Sequence, residues 1–200
     1  INEIANLCEK VDANVEEVAD GMGLDKRIGR WGLSAGPGYG GSCFPKDTLA
    51  LIHTAVQNKS YVRIVEAAVA ANDSRKASLF SKISEEFDGD LRNKKIGILG
   101  LTFKAGTDDL RDSPSVDLIP RLIQYGSNVR VYDPEGMDEA RKKISGPIIW
   151  CENLYQASEG ADAIVIMTEW EEFNAKNLDF TKLKELMKKK VIIDFRNMFE

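Results

Sequence analysis

Histidine is almost absent from these 200 residues, with His53 standing alone. That disfavours a histidine-dependent hydrolytic triad and a multi-histidine metal centre, so no metal is expected. Cysteine is scarce as well. Cys8, Cys43 and Cys151 are odd in number, lie far apart and include no C-x-x-C pair. This argues against a disulfide framework or a zinc site and suits a reducing cytoplasm. No apolar run approaches the roughly 20 residues that span a bilayer, so no membrane partner is expected. With 27 basic against 32 acidic side chains there is no basic footprint for nucleic acid. An anionic ligand stays open, because a few well-placed Lys and Arg bind phosphate within an acidic chain. There is no initiator methionine and no signal peptide, and helical periodicity already runs from Ile1 to Cys8. An upstream portion is therefore expected to be missing from this chain.

What is present is an ordinary globular balance, 43% hydrophobic and 30% charged, long enough for one large domain or two small ones. Residues 1–90 read as a helical domain. The spacing predicts one helix ending near Lys10, a second over Asn14–Met22, a third starting at Pro45 and breaking at Asn58-Lys59-Ser60, and a long fourth from Tyr61 to about Phe87. The small apolar middle of the fourth, Val65–Ala71, suits close packing against another helix, in the same chain or in a partner subunit, and equally a buried core helix. The polar run Asp88–Asn93 marks a boundary. Beyond it, in residues 91–200, short apolar strands at Lys95–Gly100, Val129–Tyr132, Ala163–Met167 and Val191–Asp194, with a weaker one at Ile148–Trp150, alternate with helices around Ser115–Tyr125, Met137–Lys143 and Phe180–Lys188. This alternation predicts an α/β fold: a helical region followed by a Rossmann-like parallel sheet, with ligands at the carboxyl ends of its strands.

The most informative stretch is Gly36-Pro37-Gly38-Tyr39-Gly40-Gly41-Ser42-Cys43-Phe44-Pro45-Lys46-Asp47. Its glycines let backbone amides approach a ligand. Cys43 falls just before a helix start, where unpaired amides, the helix dipole and Lys46 together suit a thiolate nucleophile. The same residues also fit a buried structural cysteine, with Asp47 merely countering the helix dipole. Further on, Phe103-Lys104-Ala105-Gly106-Thr107-Asp108-Asp109-Leu110-Arg111-Asp112-Ser113-Pro114 places two cations after a strand and before a helix that Ser113 caps and Pro114 opens, the setting of an anion site. Its bland alternative pairs Lys104 and Arg111 with the neighbouring aspartates at the surface. Gly97-Ile98-Leu99-Gly100 lacks the G-x-G-x-x-G spacing of a dinucleotide fingerprint. His53 reads as a surface residue, and Lys188-Lys189-Lys190 as a solvated helix end.

The run Gly38–Asp47 resembles the catalytic loop of the UDP-glucose/GDP-mannose dehydrogenase family, and the F-K…T-D-D-x-R-x-S-P segment, Val131-Tyr132-Asp133-Pro134 and Thr168-Glu169-Trp170 resemble its nucleotide-sugar domain. The last of these is most like the UDP-glucose branch. The resemblance implies an NAD-dependent oxidoreductase acting on a UDP-sugar, with GDP-mannose and UDP-N-acetylmannosamine as the alternatives within the family. It implies Cys43 as nucleophile, Asp47 in water activation with an upstream Lys, Lys46 and Arg111 at NAD, and Lys104 at the sugar nucleotide. Gly32, Leu33, Ser34, Ala35, Gly36 and Gly40 fall where the family cradles the sugar. Arg27, in Leu24-Asp25-Lys26-Arg27-Ile28-Gly29, falls where it crosses to a neighbouring subunit, which implies a homodimer or higher homo-oligomer. Gly32 and Ser34 replace larger residues of some relatives, and Phe195 replaces the glycine of a terminal D-G-R-N, which leaves Arg196 only a possible contact. The family's N-terminal NAD-binding domain has no counterpart here, so these residues alone are expected to be inactive. Two further readings stay open: a non-catalytic nucleotide-sugar-binding or dimerisation module, and a cysteine-dependent acyl hydrolase without a credible histidine partner.

Overall fold

The computed structural model describes residues 1–199. Four helices come first: α1 (Asn2–Val11), α2 (Val15–Gly23), α3 (Phe44–Gln57) and α4 (Arg63–Glu85). Asn14 caps α2 through its side chain, accepting from the Glu16 amide, and Asp12 ends α1 in the left-handed region at φ 56°. Pro45 falls in the first turn of α3, where its missing N–H leaves no unsatisfied bond.

The second half is a five-stranded, wholly parallel sheet ordered β3-β2-β1-β4-β5, built from β1 (Lys95–Leu99), β2 (Asn128–Tyr132), β3 (Ile148–Trp150), β4 (Ala163–Ile166) and β5 (Ile192–Asp194). Helices α5 (Pro114–Gln124), α6 (Met137–Lys143), α7 (Leu154–Ser158) and α8 (Phe180–Leu186) connect or flank the strands. The α/β reading with a Rossmann-like sheet therefore stands. Helical covers bury both faces of such a sheet, which is why β4 is buried at every position and read as a continuous apolar run. Two elements went unread: α7 and a short 3-10 turn over Glu171–Phe173. The expected last helix ends at Leu186, so Lys188 and Lys189 lie beyond it; Lys188 pairs with Asp162 at 3.2 Å and Lys189 sits over the Phe87 ring.

Helix α4 reaches two regions of the protein. Leu79, Phe80 and Ile83 of its second half join Ile96, Ile98, Leu118, Val129 and Val165 in the main core of the sheet. About two turns and one turn before Leu79, Asn72 and Arg75 are buried, 7% and 4% exposed, against the glycine-rich loop. The small apolar middle is not a core surface here: Ala67, Ala68 and Ala70 are exposed.

Candidate active site

The glycine-rich loop lies between α4 and the segment 103–112 that follows β1. Its backbone is bound from both sides. The Gly36 amide donates to Asn2 Oδ1 (2.8 Å), and the Gly36 carbonyl accepts from Arg75 Nε (2.8 Å). Tyr39 donates to Asn72 Oδ1 (2.8 Å) and accepts from Asn72 Nδ2 (3.3 Å). From the other side, the Gly41 amide donates to the Arg111 carbonyl (2.7 Å), while Lys76 Nζ reaches across to the Asp112 carbonyl (2.9 Å). The glycines make this approach possible. A Cβ on Gly40 would stand 2.4 Å from the Asp112 carbonyl oxygen, and Gly41, at φ +90°, faces the Phe103 ring.

The loop delivers Cys43 to the N-cap of α3, with its sulfur exposed and 3.5 Å from Ser42 Oγ. A lone buried cysteine is thereby ruled out as the description of Cys43; Cys8 and Cys151 are the buried ones. Lys46 and Asp47 follow on the first turn of α3, paired at 3.3 Å and largely exposed. Arg111 forms a forked ion pair with Asp109, Nη2 to Oδ2 at 2.8 Å and Nε to Oδ1 at 3.0 Å. That carboxylate holds the guanidinium above its ordinary value, with a lesser contribution from the nearby Cys43 sulfur, and the guanidinium in turn draws Asp109 below the usual carboxylate range. The surface pairing foreseen as the bland alternative is thus real for Arg111, which remains exposed beside the loop. Lys104 instead extends over the Phe103 ring, 5.4 Å from its centroid.

Behind the loop is a cavity of about 490 Å³ whose wall includes Gly32, Ser34, Gly36, Phe44, Asn72 and Arg196. Of the residues expected at a sugar cradle, Gly32, Ser34 and Gly36 line it. Ala35 turns into a small core with Ala5, Cys8 and Val15, and Gly40 packs on the 103–112 segment. Leu33 is half-buried. Arg27 projects into solvent, its side chain 89% exposed and forked onto Asp25.

Arg196 is the cation that sequence reading left open. Its Nε donates to the Met167 carbonyl (2.8 Å) and lies 3.0 Å from Glu169, and its Nη2 donates to the Phe103 carbonyl (3.0 Å). Burial pulls this guanidinium below its ordinary value, although arginine stays charged at neutral pH. It stands where the ends of β1, β4 and β5 meet the glycine loop, and a Cβ on Gly36 would fall 3.2 Å from its Nη1. Asp133, at the end of β2, is a buried hub. Its carboxylate accepts from the Leu101, Thr102, Glu135 and Gly136 amides, the Thr102 hydroxyl and Trp170 Nε1. Val131–Pro134 and Thr168–Trp170 are thus joined by one side chain that fixes the turn leading to Lys104.

Asn2, Asn72, Arg75 and Lys76, which hold the loop, were not foreseen. The one available signal was a poor helix former, Asn72, in the middle of an alanine-rich helix.

Two family models match the chain: the central domain of the UDP-glucose/GDP-mannose dehydrogenase family over residues 1–74, and its UDP binding domain over residues 97–200. The chain is 54% identical over 199 residues to a UDP-glucose 6-dehydrogenase of Rhizobium meliloti (strain 1021), covering 100% of this chain and 45% of that protein. It is 44% identical over 201 residues to one of Rickettsia bellii (strain RML369-C), covering 100% and 46%. A UDP-glucose dehydrogenase structure from Pyrobaculum islandicum superposes with a TM-score of 0.88 at 33% identity, over 98% of this chain and 43% of that one. The chain spans less than half the length of these relatives.

Proposed function

The chain belongs to the UDP-glucose/GDP-mannose dehydrogenase family, and on that footing we propose that it forms the central and UDP-binding parts of an enzyme that oxidises UDP-glucose to UDP-glucuronate with NAD. The observation that carries the proposal is the exposed Cys43 sulfur at a helix N-terminus, on a loop whose backbone is tied down on both flanks.

In the proposed reaction the Cys43 sulfur attacks the aldehyde carbon of the half-oxidised sugar. A carbon–sulfur bond forms and the carbonyl oxygen takes a proton, giving a thiohemiacetal on Cys43. This adduct releases hydride where a free aldehyde does so poorly, leaving a thioester. Water, oriented by Asp47 on the first turn of α3, then cleaves the thioester to the carboxylate and restores the thiol. NAD supplies the hydride acceptor for both oxidations. Lys46 and Arg111, exposed cations beside Cys43, fit an anionic dinucleotide at that end. The turn after β1 does not, because Gly97 and Gly100 are closed off by the Ala157 carbonyl and by Thr168. Lys104 and the cavity-lining Gly32, Ser34 and Gly36 are assigned to the nucleotide sugar, while Ala35 and Gly40 shape the loop that carries them.

Exposed apolar side chains, including Leu24 (85%), Trp31 (96%) and Ile64 (86%), support a homodimer or higher assembly in which Arg27 serves the neighbouring site. Three free cysteines support a reducing cytoplasm, and no helix among the described residues is long and apolar enough to cross a membrane.

The test is the yield of NADH per UDP-glucose by the protein that carries this chain, with GDP-mannose and UDP-N-acetylmannosamine in parallel. About two per UDP-glucose and none from the others is expected. Turnover of another nucleotide sugar alone would keep the chemistry and replace the substrate, and no turnover of any would leave a binding or dimerisation module. The isolated 200 residues are expected to give no steady NADH.

A further inference from the structure

Among the described residues of the helical region, one side chain binds both backbone polar groups of a single loop residue. Asn72 accepts from the Tyr39 N–H and donates to the Tyr39 carbonyl. It is buried to 7% exposure, and the loop runs directly over it: a Cβ on Gly38, at φ +120°, would stand 3.0 Å from Asn72 Oδ1. A carboxamide is the short side chain that offers a donor and an acceptor together. Aspartate only accepts, and serine is too short to span the two groups.

Tyr39 is in turn coupled to the residue after Cys43. Its ring meets the Phe44 ring edge-on, centroids 4.6 Å apart, and Phe44 is the first residue of α3. A contact thus runs from Asn72 through the Tyr39 peptide and ring to Phe44 and the helix start that presents the Cys43 sulfur. On the opposite flank the loop is held by the Gly41–Arg111 bond. We propose that Asn72 is a positioning residue for Cys43, setting the orientation of the thiol through Tyr39 and Phe44. The proposal deepens the dehydrogenase reading and rests on Cys43 being its nucleophile.

The test compares wild type, Asn72→Ala and Asn72→Asp in the protein that carries this chain, each well below its own melting midpoint. Two readouts are used: steady-state turnover with UDP-glucose and NAD, and hydrogen exchange of the Gly38–Cys43 amides. In both variants kcat is expected to fall between ten- and a hundredfold, in line with the effect of roughly 1 Å of misplacement. KM for UDP-glucose should change less than threefold. The loop amides should exchange about tenfold faster, while those of β1 and β4 keep their wild-type rates. A merely structural asparagine would lower the melting midpoint and leave kcat per folded molecule unchanged, and that result overturns the proposal. Wild-type exchange in the loop overturns it as well. If the wild type turns over no nucleotide sugar, faster loop exchange in the variants upholds the anchoring of the loop and sinks the role of Cys43 instead.

Discussion

Adding one methyl group at Gly40 should separate the two halves of the site. An alanine Cβ would lie 2.4 Å from the Asp112 carbonyl oxygen and 3.2 Å from Phe103 Cβ, where 3.4–4 Å is ordinary contact. Both obstacles are rigid, so the loop and the 103–112 segment must part by about 1 Å. Overpacking of this kind costs about 1–3 kcal/mol. If the parting also breaks the 2.7 Å bond from the Gly41 amide to the Arg111 carbonyl, about 1 kcal/mol is added. Gly40→Ala should therefore destabilise the protein by about 2–4 kcal/mol and reduce kcat about a hundredfold. Gly21 provides the contrast. It lies in α2 with nothing within 4 Å of an added Cβ, so Gly21→Ala should stabilise by about 0.5–1 kcal/mol and leave turnover alone. Urea unfolding followed by tryptophan fluorescence, together with NADH production, measures both variants. Should Gly40→Ala unfold within 0.5 kcal/mol of wild type (roughly the error of such measurements), the close approach of loop and segment is not what holds Cys43.

Cys43→Ser should lower NADH production from UDP-glucose by at least about a thousandfold without loss of nucleotide-sugar binding, measured by calorimetry; retained turnover would remove the thiol from the mechanism. Asp133→Asn replaces an acceptor of six hydrogen bonds with an amide that must turn a donor toward other donors, and should cost about 2–4 kcal/mol in urea unfolding. Glu172 faces Tyr132, and burial lifts its carboxyl above the ordinary range, while burial and then Glu172 push the tyrosine up to about 12. A carboxyl raised on folding adds stability below its unfolded value, and that is lost as pH rises through the folded value. Glu172→Gln should therefore be more stable than wild type at pH 7, with the advantage vanishing as pH falls toward about 4.3; a difference that stays constant with pH would show that Glu172 is not desolvated.

Much of the architecture could be read because parallel-sheet strands are short apolar runs between polar turns, and Ile96–Leu99 and Ala163–Ile166 are such runs. Helix α7 could not be read. It is a single turn of five residues, too short for periodicity, held by the Asn153 side chain at the Gln156 amide and by Leu154 and Ala157 packing inward. Cys43, Lys46 and Arg111 stood out because glycine density and charge are local signals. Asn72 and Arg75 did not, since their loop partners are backbone atoms 33 and 39 residues away and backbone atoms leave no mark on a sequence. Arg196 fell between these cases: its motif was visible, but its neighbours are brought together only by the sheet order β1-β4-β5.

That α4 serves two neighbourhoods bears on how such a chain can change over generations. Asn72, Arg75 and Lys76 grip the loop, and Leu79, Phe80 and Ile83, within three turns of them, are locked in the sheet core. One residue inserted between the two sets would rotate one against the other by about 100° and shift them by about 1.5 Å. Substitutions at the exposed positions between the anchors, Asp73, Ser74 and Ala77, can be absorbed one at a time, but insertions and deletions cannot. The interval from Asn72 to Leu79 acts as a ruler, and drift in this lineage should alter its letters while keeping its length.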